Sequence, residues 1–425
     1  MANPKSKIAS PMTLARSLLA IVALISLSAQ SVHAEARWPR WRGPRGDGHS
    51  EEKRLPVRWD ASNVVWKTAL TGGGESSPIV WDGKIFLTTA ANDGRRRSTL
   101  CLDSGDGSVL WEKAIDYTGE LEQLHKLNTF ASPTCATDGE VVVSFFGNAG
   151  LHAYTVDGRP LWNKALGTFD NIWGPAASPV IVDDLVIQNG DADSDAFLAA
   201  FDKRTGEEAW RVPRPNYRGW STPVLIEAQG RRELVLNGHE GVAAYDPASG
   251  KLLWSCRGFA GRGEPTATPG DGLVYLVNGL AGDVYAVAPG GSGDVTSSRM
   301  QWHTPRKVGR DLPSPIFLND CLVVASMGGV VVGYDAASGS QLWTDRLKGN
   351  FSASPIAAGG RAYFQAEDGA VVVIEAGPRL KLIARNTIDV DADEIFRASP
   401  APTAGRLLLR SDRALYCIGS ESADQ

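Results

Sequence analysis

Ser77-Pro78-Ile79-Val80-Trp81-Asp82-Gly83-Lys84-Ile85-Phe86-Leu87, followed by Cys101-Leu102-Asp103-Ser104-Gly105-Asp106-Gly107-Ser108-Val109-Leu110-Trp111, is a structural unit that the chain repeats along its length. The first half reads as two short β-branched strands around an Asp-Gly turn. The second half reads as a strand ending in Asp, a turn containing a Gly able to take positive φ, and a returning strand that carries Trp. The Ser/Thr-Pro start recurs at Pro78, Pro133, Pro179, Pro223, Pro269, Pro315, Pro355 and Pro400, on average 46 residues apart over 322 residues. A period of that length belongs to a solenoid or a propeller. Each of these prolines follows a hydroxyl residue, at Ser77, Ser132, Ser178, Thr222, Thr268, Ser314, Ser354 and Ser399. Proline suits the first residue of a strand, where no ladder donor is needed.

The small-Asp-Gly-Trp pattern recurs in register as Ala200, Asp202, Gly206, Trp210, as Ala244, Asp246, Gly250, Trp254, and as Gly333, Asp335, Gly339, Trp343. A shortened copy holds Ala153, Thr155, Gly158 and Trp162, and another keeps Ala286 and Trp302 around a Gly-rich insertion. Trp66, Trp111, Trp162, Trp210, Trp254, Trp302 and Trp343 are therefore expected to pack between adjacent sheets, with a degenerate eighth slot near Leu382-Ile383. The last Ser/Thr-Pro start has no Trp strand after it, while Val64-Val65-Trp66 precedes the first start. Pairing that early strand with the last blade would complete it and remove an open sheet edge. The expectation is an all-β, eight-bladed propeller of four-stranded antiparallel blades over residues 60–420, closed by its N-terminal strand, with an extension over 35–59.

Residues 1–34 read as a secretory signal peptide: Lys5, Lys7 and Arg16, an apolar run from Leu18 to Leu27, then Val32-His33-Ala34. Its removal takes the formal net charge from -5 to -8. An acidic, exported protein is a poor match for nucleic acid, and Arg95-Arg96-Arg97 reads as a solvated hairpin tip. The first cysteine is Cys101, so none stands just after the leader and no lipid anchor is expected. The five cysteines form no C-x-x-C pair; Cys101 and Cys417 occupy the repeat's small-residue slot, and packing explains them.

This repeat resembles the tryptophan-docking motif of the pyrroloquinoline quinone (PQQ) repeat superfamily, which holds quinoprotein dehydrogenases and BamB-like propellers. Trp38-Pro39-Arg40-Trp41-Arg42-Gly43-Pro44 is similar to the opening of exported PQQ-like propellers. The resemblance implies the propeller architecture, and, on its dehydrogenase side, PQQ with calcium under a disulfide of adjacent cysteines. This chain has no adjacent cysteines. No cofactor is expected; PQQ with calcium is the alternative.

Chemistry elsewhere is sparse. The six histidines show no H-x-x-x-H or H-x-H spacing, and neither a G-x-S-x-G elbow nor a phosphate loop is present. Asp191, Asp193 and Asp195 alternate as in a calcium loop, although Ala196 stands where the sharp turn wants Gly. Calcium there is an alternative to an ordinary loop. The acidic run at Asp389, Asp391, Asp393 and Glu394 reads as another solvated loop. What breaks the repeat lies in the loops before each Ser/Thr-Pro start: Glu75, Trp173, Arg218, Trp220, Glu264, Arg310, Asp311 and Arg397. Loops of this kind converge near a propeller axis, and Trp and Arg are common binding anchors. These residues are the candidate binding face of a non-catalytic scaffold for a protein, small ligand or glycan. A PQQ-dependent dehydrogenase and a carbohydrate-binding propeller are the alternatives.

Overall fold

Each repeat folds as an antiparallel meander because its strands are short and its turns are tight. In the first blade the strands are Ile79–Trp81, Lys84–Ala90, Arg96–Asp103 and Val109–Asp116, hydrogen-bonded in that order. Asp82 and Gly83 both take positive φ, 45° and 79°, the mirror-image turn whose twist matches the flanking strands. The computed structural model describes residues 37–258, 261–279, 282–306, 310 and 312–419, with Met1 and Ala2. The expected leader from residue 3 onward and Asp311 lie outside the described residues.

Eight such sheets form the eight-bladed propeller. The last blade holds Ala401–Thr403, Arg406–Arg410 and Ala414–Ile418, and its fourth strand is Val64–Ala69 from the other end of the chain. Trp66 pairs with Cys417 there, as the Trp strand pairs elsewhere. The middle strands of the blades are almost wholly buried, as in Val141–Phe145 and Cys321–Ala325, and they supply most of the core.

The register explains the repeat's residues. Trp111 lies opposite Cys101, Trp162 opposite Ala153, Trp210 opposite Ala200, and Trp343 opposite Gly333. A small residue is needed there because the indole leans over its cross-strand neighbour; a Cβ on Gly333 would lie 2.2 Å from the Trp343 ring. Each indole then docks on the next blade's turn. Trp162 Nε1 donates to the Lys203 carbonyl at 2.9 Å, Trp302 Nε1 to Ala336 at 2.9 Å, and Trp343 Nε1 to Gly377 at 2.9 Å. The turn glycine is doubly required: Gly250 has φ +71°, and a Cβ on it would meet Trp210 at 2.4 Å. The repeat Asp organises the same turn, as Asp202 Oδ1 accepts from the Arg204 and Thr205 amides.

Two sites depart from this scheme. Trp254 is fully buried and donates from Nε1 to Glu233 Oε2 at 2.8 Å, a carboxylate that also takes Arg231 Nε at 2.7 Å. The Gly-rich insertion of the following blade causes this: Gly293–Asp294 pairs in parallel with the Trp254 strand as a fifth strand. The degenerate eighth slot, expected near Leu382-Ile383, is Ala384, opposite Val373. The final blade is closed by two chain segments and has no Asp-Gly turn for an indole to dock on; Trp59 of the extension instead shares the core cluster with Ala384.

Two further expectations are corrected. Arg97 is not at a solvated tip: it is fully buried in the strand Arg96–Asp103, salt-bridged to Glu122 at 2.8 Å and set over the rings of Tyr117 and Phe130. Glu394 is also buried, accepting from the Tyr416 hydroxyl at 2.8 Å, while its acidic neighbours stay exposed. All five cysteines are buried free thiols.

Candidate functional site

The innermost strand of each blade turns one edge toward the axis, where its backbone groups have no neighbouring strand to pair with. At the start of those strands the deficit is met by a ring of hydroxyls. The Ser77 amide donates to Thr134 Oγ1, Thr134 to Ser178, Ser178 to Thr222, and Thr222 to Thr266. Thr266 donates to Ser314, Ser314 to Ser354, Ser354 to Ser399, and Ser399 back to Ser77, all at 2.9–3.2 Å. The circle closes through all eight blades. Six members are the hydroxyls read from the Ser/Thr-Pro starts; the other two are Thr134 and Thr266, in place of Ser132 and Thr268. In those blades the ring position falls two residues away, after Pro133 and after Pro265.

Farther along, the same inner strands are paired by the extension. Trp38 exchanges both backbone bonds with Val80, Pro39 accepts from Thr137, Gly48 and Ser50 bracket Ala357, and Glu52 accepts from the Gly405 amide. Arg42 is fully buried and donates to the Asp47 and Pro315 carbonyls at 2.8 and 2.7 Å. Burial pulls its pKa down to about 10, against the pull of Asp47. Trp41 from this segment and six of the ring residues line one axial cavity of about 190 Å³.

Six of the eight candidate residues line that cavity: Glu75, Trp173, Trp220, Glu264, Arg310 and Arg397. Arg218 is not among them; it is salt-bridged to Asp193 at 2.6 Å. Asp311 lies outside the described residues. Arg397 spans Glu75 at 2.9 Å and Glu367 at 3.2 Å, and the Glu75 and Arg397 side chains keep 15% and 17% exposure, so solvent reaches the mouth. Burial pushes the Glu75 carboxyl up, with Arg397 opposing. Trp173 is bracketed by Arg262, 4.7 Å from its ring centroid, by Arg310 at 5.4 Å and by the His125 ring at 4.1 Å. Burial lowers the His125 pKa, and Arg310, Lys126, Arg262 and Arg397 lower it further, which marks positive potential on this wall. Trp220 Nε1 donates to the Gly174 carbonyl at 2.8 Å and fixes the loop that carries Trp173.

Sequence reasoning missed Trp41, His125 and the ring. Trp41 sat in a segment assigned no structural role, and the ring hydroxyls read only as partners of local backbone. The calcium alternative is not met by the geometry: Asp191 is buried and takes Arg214 through both oxygens, at 2.5 and 3.1 Å, and Asp193 takes Arg218. Arginines occupy the lone pairs a cation would need. Among the described residues no group of three or more His, Cys, Asp or Glu side chains converges.

A family model described as outer membrane protein assembly factor BamB matches residues 51–192, 194–288 and 280–380. Quinohemoprotein alcohol dehydrogenase ADH IIB of Pseudomonas putida is 27% identical over 298 residues, 60% of this chain and 40% of that protein. Outer membrane protein assembly factor BamB of Burkholderia pseudomallei (strain K96243) is 23% identical over 223 residues, 43% of this chain and 55% of that one. The matched region is thus less than two thirds of the length of either relative. Among solved structures, BamB from Moraxella catarrhalis superposes with a TM-score of 0.61 at 18% identity, covering 84% of this chain and 99% of that one. A europium-containing methanol dehydrogenase superposes with a TM-score of 0.67 at 12% identity, covering 91% and 98%. At those identities the likenesses show the fold.

Proposed function

Because the chain belongs to the family described as outer membrane protein assembly factor BamB, we propose that it is an exported, non-catalytic propeller that binds a partner or ligand at the axial mouth. One observation carries this reading. The residues that repeat are consumed by folding, in ring and docking contacts, whereas six that do not repeat meet in one solvent-accessible cavity. Side chains that break a repeat and converge are those that folding of the repeat does not account for, and recognition is the role left to them.

The residues do not fit a quinone held with a divalent cation. Glu75 is committed to Arg397, and the five thiols are buried within the blades, none lining the cavity. A carbohydrate platform is poorly served by Trp173, whose ring is already engaged by Arg262, Arg310 and His125. For localisation, among the described residues no helix is long and apolar enough to cross a membrane. Export rests on the 1–34 leader, and intact mass should place the mature start near Glu35 without a lipid adduct.

The test uses site-specific photo-crosslinkers in the exported protein. Ile172 and Ile395, exposed beside Trp173 and Arg397, should capture one partner, and Leu382 on an outer strand should not. Capture from Leu382 alone would move the binding face to the blade edges. Dye-linked alcohol oxidation after adding PQQ and calcium should be nil; micromolar binding with turnover would replace the scaffold reading with an enzyme.

A further inference from the structure

The hydroxyl ring has a property beyond closing the strand edges. Each of its eight oxygens accepts an amide proton from the preceding blade, and among the described residues none donates its own proton to a protein acceptor. All eight residues are buried. Buried hydroxyl protons without an acceptor are costly, so an acceptor is to be expected beside them. Six of the eight residues line the axial cavity, and all encircle one axis. Two more donors on its wall are in the same state: Trp173 Nε1 and Arg310 Nε are buried and, among the described residues, have no acceptor. The cavity is therefore rich in unspent donors, and its acceptors Glu75 and Glu264 have cations beside them, Arg397 at 2.9 Å and Arg262 at 3.9 Å.

Resting on the axial-binding reading, we propose that the cavity binds a small oxyanion, a carboxylate, phosphate or sulfate group, through the free O–H donors of the ring together with Arg310 and Trp173. The volume, about 190 Å³, lies below that of pockets for drug-sized ligands, which limits the ligand to a small acid or one terminal group of a larger one. Neutral polyols are a worse match, since they bring as many donors as acceptors to a wall already supplied with donors. The positive potential felt by His125 favours an anion on the same wall.

The full exported protein is titrated by calorimetry with inorganic phosphate, sulfate and succinate at constant ionic strength, with glucose as the neutral comparator. A tetrapeptide with a free C-terminal carboxylate and its amide run beside them. At least one anion should bind and glucose should not. Arg310→Gln should weaken it tenfold or more, and Trp173→Phe, which keeps an aromatic ring but deletes the donor, about threefold, in variants that melt as wild type. Crystals soaked in selenate should show anomalous scattering on the axis within reach of the ring. Binding of the free-acid peptide alone supports the oxyanion site and assigns its source to a polypeptide terminus. Equal affinity in both variants, glucose binding as tightly as the anions, or ordered water alone on the axis overturns the inference. If anions fail while the Ile172 crosslinker still captures its partner, only this inference falls; if both fail, the axial reading falls with it.

Discussion

Replacing Gly250 by Ala and, separately, Gly360 by Ala isolates the energy of indole docking from the energy of backbone conformation. Both glycines sit in turns at nearly the same φ, +71° and +78°. An L-residue at that φ costs about 1–2 kcal/mol, offset by about 0.4–1 kcal/mol because Ala restricts the unfolded chain. Gly360 faces open space, with nothing within 4 Å of a new Cβ, so Gly360→Ala should cost only the difference, about 1 kcal/mol. Gly250 instead lies under the neighbouring blade's indole, where a Cβ would stand 2.4 Å from Trp210 Cε3. The ring has to lift, which strains its Nε1 bond to the Pro247 carbonyl at 3.2 Å and adds an overpacking cost of about 1–3 kcal/mol. Gly250→Ala should therefore cost about 2–4 kcal/mol. Urea titrations followed by indole fluorescence and by far-ultraviolet dichroism measure both, and coincidence of the two probes checks that one transition is being compared. Equal losses, within about 0.5 kcal/mol, would show that the glycine is kept for its φ alone and that docking contributes nothing there.

Deleting residues 35–66 removes the extension and the closing strand and exposes the Ala414–Ile418 edge; the product should melt well below wild type and self-associate on a sizing column, and unchanged melting would refute closure. Trp254→Phe strips a donor from the buried Glu233 carboxylate and should cost about 1.5–3 kcal/mol, against about 0.5–1.5 kcal/mol for the hydrogen bond lost in Trp343→Phe, whose acceptor is a neutral carbonyl. Equal costs in urea would mean that Glu233 draws little from the indole. Burial holds the pKa values of His49 and His152 below the ordinary 6.5, so on acidification the unfolded chain takes up protons that the folded one refuses. Stability should fall as pH drops through about 6.5, above the range where carboxylates contribute, and the double change His49→Gln with His152→Gln should flatten the profile; an unaltered slope in thermal melts would refute this.

Nearly all of the fold was legible because the repeat is local physics. A tight turn, a strand-opening proline and a Trp four residues past a Gly each constrain neighbours within one blade; the proline start recurs eight times, and the spare Trp66 strand at the front of the chain is what the last blade needs to close a ring. The sequence placed the degenerate slot near Leu382-Ile383, next to Ala384, but could not show what fills it: the following blade is closed by two separate chain segments and lacks the turn on which an indole docks, so Trp59 of the extension packs into the same cluster. The interior position of Arg97 was equally hidden, since its partners Glu122 and Phe146 come from separate segments.

For the candidate site, the sequence by itself determined which residues are surplus to the repeat, and six of them do line the axial cavity. That follows because the repeat accounts for its own residues, so any Trp or Arg outside its pattern stands out. Only the tertiary structure decided that Arg218 is spent on Asp193, that Trp41 shares the cavity, and that eight hydroxyls form one circle of unspent donors. Ring members stand 40–57 residues apart along the chain, and closure joins Ser399 to Ser77 across 322 residues. No local pattern encodes such a relation: it exists only once the eight inner strands have been brought around a common axis.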